Sequence, residues 1–194
     1  MVQSTSDDLN LLRQLAKGNQ DAFESLFERY QGPIYRFALH MSGNSASAEE
    51  TTQDVFMAVI GSPGGYDPAK GTVAGYLYGI ARNLMRRSMR QTSHDVPFAE
   101  ESAEEDAAGI TDDFDLLKEL SHAESLECLR KAVLALPEAY REAVVLCELE
   151  EMSYPDAAAV LKCSPGTIAS RLHRARAMLK TKLKSQVCVK GLGR

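Results

Sequence analysis

The sequence predicts an all-α protein: two small helical domains, the second containing a helix-turn-helix, joined by an acidic flexible linker. Three observations lead there. Apolar residues recur with a helical period in both halves, no stretch is a defensible strand candidate, and the charge falls into three unlike blocks. Residues 1–94 hold nine basic and nine acidic side chains, whereas residues 95–127 hold twelve acidic and one basic. Residues 128–194 hold twelve basic and six acidic, and from Lys162 onward no acid remains. The formal net charge of -5 averages these blocks and describes none of them.

At 194 residues, 44% hydrophobic and 25% charged, the chain has a globular composition and room for two small domains. No apolar run approaches the ~20 residues a bilayer span requires. The start, MVQSTSDDLN, has neither the basic nor the apolar region of a secretory signal, so a cytoplasmic protein is expected. Cys128, Cys147, Cys163 and Cys188 form no CxxC and stand at no ligand spacing from a histidine. They read as reduced packing thiols, and neither a metal nor a cofactor is expected.

A first short helix carries Leu9, Leu12 and Ala16, with Gly18 placed to close it. Phe23, Leu26, Phe27, Tyr30, Ile34, Phe37, Ala38 and Met41 then hold a 3.6-residue period, interrupted by Gly32-Pro33, which should kink or divide the helix. Ser47 and Glu50 make a capping-box pattern for a third helix that should bury Ala48, Thr52, Val55, Phe56 and Val59. Residues 61–72 contain four glycines and two prolines, a loop. Thr72 can cap a fourth helix that should bury Leu77, Ala81, Leu84 and Ser88 and turn Arg82, Arg86, Arg87 and Arg90 outward.

Residues 93–123 lack periodicity and are too polar and self-repelling to build a core. Beyond them, Leu126, Leu129, Val133 and Leu136 form a stripe that ends at Pro137, and Tyr140, Val144 and Cys147 form the next. The expected division is therefore a domain over 1–92, a linker over 93–123, a second domain over 124–184 and a tail over 185–194.

Residues 153–180 carry the strongest local signal, a helix-turn-helix. Ser153 with Asp156 caps its first helix, and Ser164-Pro165 starts its second with proline at the first helical position. Ile168, Leu172, Ala175 and Leu179 form the inward stripe of that second helix. Ala169, Ser170, Arg171, His173, Arg174 and Arg176 are left outside, a face without a single acid. Such a face fits the major groove of DNA.

The run from Leu136 to Lys180 resembles the fourth conserved region of the extracytoplasmic-function sigma factors of the sigma-70 family. The resemblance rests on Leu136-Pro137, Tyr140-Arg141-Glu142, Glu148-Leu149, Ser153-Tyr154, Gly166-Thr167 and the run from Ser170 to Arg176. It implies that Thr167, Ser170, Arg171, His173, Arg174 and Arg176 lie at the promoter −35 element. Ala169 stands where Lys or Arg is common in the family. In the N-terminal half, AEETTQDVF (48–56) resembles the family's second region, which implies that Glu49, Glu50, Gln53 and Asp54 contact the clamp coiled coil of core RNA polymerase. On a helix those four share one face.

The next motif, YDPAKGTVAGYLYGIARNLMRRSMR (66–90), resembles the family's promoter-melting stretch. By that likeness Tyr66, Asp67, Lys70, Tyr76, Arg82, Asn83, Arg86, Arg87 and Arg90 would hold the −10 element. Val73 and Tyr76 replace the family's usual Phe and Trp, and for Tyr76 both a core role and a DNA contact are open. The implied protein is an alternative sigma factor, a non-catalytic subunit whose partners are core polymerase (clamp and flap), promoter DNA and an anti-sigma factor. It takes no small-molecule substrate. The resemblance further implies that the acidic linker threads a positively charged polymerase channel and discourages the free protein from holding DNA. A stand-alone helix-turn-helix regulator would explain 124–183 but leave 48–90 without a role. For a nuclease or a deaminase the sequence offers no carboxylate cluster, HxE…CxxC pattern or nucleophile motif.

Overall fold

In the computed structural model, residues 5–62, 64–92 and 122–191 are described. Among the described residues, eight α-helices run in the order α1 (Thr5–Leu15), α2 (Gln20–Ser42), α3 (Ser45–Gly61), α4 (Val73–Thr92), α5 (His122–Leu134), α6 (Glu138–Val144), α7 (Tyr154–Leu161) and α8 (Pro165–Gly191). A 3-10 turn at Pro68–Lys70 precedes α4, and α6 passes into a π-helical turn at Val145–Leu149. Among the described residues no strand occurs, and no helix is long and apolar enough to cross a membrane. Helix α5 begins inside the stretch expected to be linker, and the rest of that stretch lies outside the described residues.

The caps set the helix starts. Asn19 accepts from the N–H groups of Asp21 and Ala22 at the head of α2. Asn44, not Ser47, caps α3, accepting the Ser47 N–H at 3.1 Å, so the cap lies three residues before the expected site. Its buried face is Ala48, Thr51, Val55, Phe56 and Val59. Thr51 thus takes the core position expected for Thr52, whose hydroxyl instead donates to the Ala48 carbonyl. Helix α2 continues through Pro33 without division. Its inward stripe, from Ala22 to Met41, packs against α1, α3 and α4, and this burial offsets the hydrogen bond that proline removes.

Helix α4 buries Val73, Leu77, Tyr78, Ala81 and Met85; Leu84 is half-buried and Ser88 exposed. Val73 is thus core. Phe23, Phe27 and Phe56 meet in an aromatic cluster, with Phe27 and Phe56 edge-on at 4.8 Å. A polar knot ties α1 to α2: the Tyr30 hydroxyl donates to buried Asp8 at 2.5 Å, and Arg29 bridges Asp7 and Asp8.

The two halves are packed together, and one hydrophobic core runs through both. Helix α4 lies against α7, and α2 against α5 and the π-helical turn. Gly43 closes α2 at φ 70°, where a Cβ would stand 2.8 Å from the Leu134 side chain of α5. Only glycine suits both the left-handed backbone and the close approach.

Replacing Asp8 by alanine should lower stability by about 2–3 kcal/mol, because it strands the buried Tyr30 hydroxyl and removes a partner of Arg29. Asp8→Asn, which can still accept from Tyr30, should cost less. Urea denaturation of the two variants checks the order.

Candidate nucleic-acid and polymerase interface

Three surfaces hold the residues singled out from the sequence. The first is the outer face of α3. Glu49, Glu50, Gln53 and Asp54 are all exposed there, opposite the buried stripe. An open groove beside them is lined by Phe27, Gln31, Tyr35 and Arg36 of α2. Sequence reasoning missed that Met57 and Ile60, 59% and 44% exposed, continue the same face toward the end of the helix. The signal was available, since Met57 follows Gln53 by four residues and Asp54 by three.

The second surface is the glycine-rich loop with the α4 that follows. Asp67 accepts from the Ala69 N–H at 3.0 Å and pairs with Lys70 at 3.2 Å, and both contacts hold its carboxyl below the usual carboxylate range. The Tyr66 hydroxyl donates to the Gly71 carbonyl at 2.8 Å, closing the loop on itself. The Tyr66 and Tyr76 rings lie 5.5 Å apart, tilted by 58°. A Cβ on Gly65 would stand 2.7 Å from the Tyr76 hydroxyl, so this close approach requires glycine. Thr72 caps α4 by accepting the Gly75 N–H at 3.1 Å. A cleft of about 220 Å³ is lined by Tyr66, Asp67, Lys70, Tyr76 and exposed Asn83. Tyr76 is half-buried, facing both the core and the cleft.

The arginines of α4 do not all point into solvent as expected. Arg87 is exposed, but the Arg82 side chain is only 10% exposed. Its Nε donates to Glu142 Oε1 at 2.5 Å and its Nη2 to Glu142 Oε2 at 3.1 Å, a bidentate pair. Arg86 pairs with Glu138 at 3.1 Å. Arg90 belongs to α4, but its side chain lies outside the described residues. The acids facing these arginines come from α6 in the other half, so no window along α4 could reveal them.

The third surface is the helix-turn-helix, α7 and α8. Ser153 accepts the Asp156 N–H at 3.2 Å, and Ser164 accepts the Thr167 N–H at 3.1 Å. The two helices meet through Ala157, Ala158, Ile168, Leu172 and Ala175, all buried. Lys162 forms the turn at φ 54°, a left-handed conformation that a residue other than glycine adopts at a cost. Ala169, Ser170, His173 and Arg176 are exposed; Thr167, Arg171 and Arg174 are half-buried. Folding also brings one acid to this face, because Arg176 pairs with Glu148 of the π-helical turn at 2.6 Å. Cys163 is half-buried in the turn, and burial, followed by the charge of Glu148, pushes the nearby Cys147 thiol up to about 11.

Residues 26–94 match the family profile of sigma-70 region 2, and residues 126–179 match that of sigma-70 region 4. The RNA polymerase sigma factor CarQ of Myxococcus xanthus is 34% identical over 81% of this chain and 86% of its own length. The chain belongs to the extracytoplasmic-function sigma factors of the sigma-70 family. The sigma factor SigE of Mycolicibacterium smegmatis is likewise 34% identical over 85% of this chain, which spans 64% of that protein. Among solved structures, CnrH in complex with the cytosolic domain of CnrY superposes with a TM-score of 0.69 at 27% identity. That likeness covers 93% of this chain and 99% of CnrH. The protein is thus an alternative sigma factor, of the class that gives RNA polymerase its promoters. A stand-alone regulator would leave the region 2 match without a purpose.

Glu150 lies beneath the sigma factor's seam, its side chain only 3% exposed. Its Oε2 accepts from the Tyr78 hydroxyl at 2.9 Å and lies 3.5 Å from Arg36, while its Oε1 is buried without a partner. Burial raises this carboxyl above the ordinary glutamate range, and Tyr78 and Arg36 offset only part of the shift. A carboxyl raised on folding is neutral in both states below its unfolded value. The cost of ionising it sets in as pH climbs past that value and is complete above the folded one. Glu150→Gln should therefore unfold at a higher temperature than the parent at neutral pH. That gap should close as the pH is lowered through the glutamate range, as thermal melts across pH would register.

Proposed function

We propose that the two halves of this sigma factor divide the work of initiation. The exposed face of α3, with Glu49, Glu50, Gln53 and Asp54, docks on the polymerase clamp. The glycine loop and α4 then take up −10 DNA as it opens. Melting without a nucleotide cofactor requires captured bases to offset lost stacking, about 1.4 kcal/mol per step. The cleft between Tyr66 and Tyr76 offers aromatic surface for such a base. Asn83, Arg82, Arg86, Arg87 and Arg90 follow it along α4 to hold the strand.

The helix-turn-helix reads −35 duplex while its domain rests on the polymerase flap. Thr167, Ser170 and Arg171 stand near the N-terminal end of α8, where base edges are reached, and His173, Arg174 and Arg176 continue along the helix. With no Lys or Arg at position 169, a phosphate contact at that place is lacking. The acidic segment joining the halves follows the basic channel of the polymerase. We take the protein to be non-catalytic and to work in the cytoplasm, where its polymerase is. The similar sigma factor RpoE is solved in complex with the anti-sigma factor NepR from Bartonella quintana, and by that likeness this sigma factor has an anti-sigma partner of its own.

The observation that carries this reading is the pairing, in one chain, of a glycine loop running into a basic helix with a capped helix-turn-helix. Run-off transcription with core polymerase, with and without the protein, tests it. Arg171→Ala and Arg174→Ala should each reduce transcription from −35-dependent promoters about tenfold or more while core binding is unchanged. Glu50→Lys with Asp54→Lys should do the reverse, weakening core binding in a pull-down and sparing −35 duplex binding.

A further inference from the structure

The turn between α7 and α8 closes with a Schellman-type pair of hydrogen bonds. The Cys163 N–H donates to the Ala158 carbonyl at 3.0 Å, and the Lys162 N–H to that of Ala159 at 3.4 Å. That geometry demands a left-handed residue at position 162, and Lys162 supplies it at φ 54°. Glycine would take the same backbone without the clash a Cβ brings, so the turn gains nothing from a lysine. Among the described residues Glu151 is the other non-glycine residue at positive φ, and it is engaged by other groups of the protein. Lys162 is exposed and, among the described residues, forms no ion pair. Strain that no internal contact offsets marks a residue retained for something outside the fold.

The charge pattern along the chain indicates what that is. From Met152 to Ser170 Lys162 is the single basic residue, and the arginines of α8 begin at Arg171. The N-terminal end of α8 therefore presents Ser164, Thr167 and Ser170, hydroxyls that can meet base edges but cannot neutralise a phosphate. A helix end seated in a major groove is flanked by the phosphates of both strands. Lys162 stands two residues before the Ser164 cap, and its ammonium is the one positive side chain at that end.

We propose that Lys162 is a phosphate-binding residue of the helix-turn-helix, gripping the DNA backbone beside the end of α8 that enters the −35 groove. This rests on the reading of α8 as the −35 helix. It adds to that reading a contact that fixes the register of the helix without reading sequence. Glycine at this position would make the better turn and the poorer grip.

The test uses the full chain assembled with core polymerase. Its probes are a short fluorescein-labelled duplex carrying a −35 element defined by run-off transcription, and a labelled single strand spanning the −10 element. Anisotropy across a salt series gives the affinities, and thermal melting is followed on the protein alone. One lost phosphate contact makes the slope of log affinity against log salt shallower by about 0.9, which at physiological salt is about a fivefold loss. Lys162→Gly and Lys162→Asn should both show that change on the duplex, and Lys162→Arg should keep the parent slope. At the same time Lys162→Gly should melt about 2 °C higher than the parent, because it relieves the turn. An unchanged slope on the duplex overturns the contact. So does a lower melting temperature for Lys162→Gly, which makes the lysine a support of the fold. A loss confined to the single strand overturns it as well, and assigns the ammonium to the cleft it lines beside the glycine-rich loop. Arg171→Ala and Arg174→Ala on the same duplex separate the two readings. If they weaken binding and Lys162→Gly does not, only the role of the lysine falls. If none of the three does, the −35 reading of α8 falls with it.

Discussion

The contact on which this arrangement depends is the bidentate pair between Arg82 of α4 and Glu142 of α6. Both side chains are nearly out of water, and either one left alone would be a buried charge costing about 3–5 kcal/mol. A pair of this kind specifies more than it stabilises. It lets α4 meet the C-terminal half in one register, the one in which fork and carboxylate align. Around it the seam is completed by Arg86 with Glu138, Tyr78 and Arg36 with Glu150, and Arg141, whose Nη1 donates to the Met41 carbonyl at 2.7 Å. The last of these satisfies a carbonyl at the end of α2, where the helix cannot do so itself.

The seam is polar at several points, although one hydrophobic core runs through both halves. Leu26, Ile34, Phe37 and Val55 are fully buried in the N-terminal half, where Asp8 and Tyr30 add a buried polar pair, and Ile168 and Leu172 are buried at the helix-turn-helix.

The helix-turn-helix owes its precision to local chemistry. Two serines fix the starts of α7 and α8, and three buried residues of α8, Ile168, Leu172 and Ala175, set which side turns outward. The turn itself is less well adapted, since Lys162 sits at a backbone angle that favours glycine. Its side chain nonetheless lines the cleft shared with the glycine-rich loop. Arg176 is likewise drawn into a contact, with Glu148, that a phosphate would have to replace.

What the sequence determined by itself was whatever depends on neighbours within a turn or two: the helices, the caps at Thr72, Ser153 and Ser164, and the stripes of α2 and α8. These rest on hydrogen bonds and contacts three or four residues apart, so a window of sequence contains both partners. Two motif blocks also survived as recognisable residue patterns, which made the family legible. Smaller errors were a cap, at Asn44 and not Ser47, and a phase, Thr51 for Thr52, where one residue rotates a helix by about 100° and only packing decides the face. Only the tertiary structure could decide the fate of Arg82. Polarity and period assign it to solvent, yet its carboxylate lies 60 residues away in the other half. An ion pair at that separation leaves no periodic trace, because charge complementarity carries no preferred spacing along the chain.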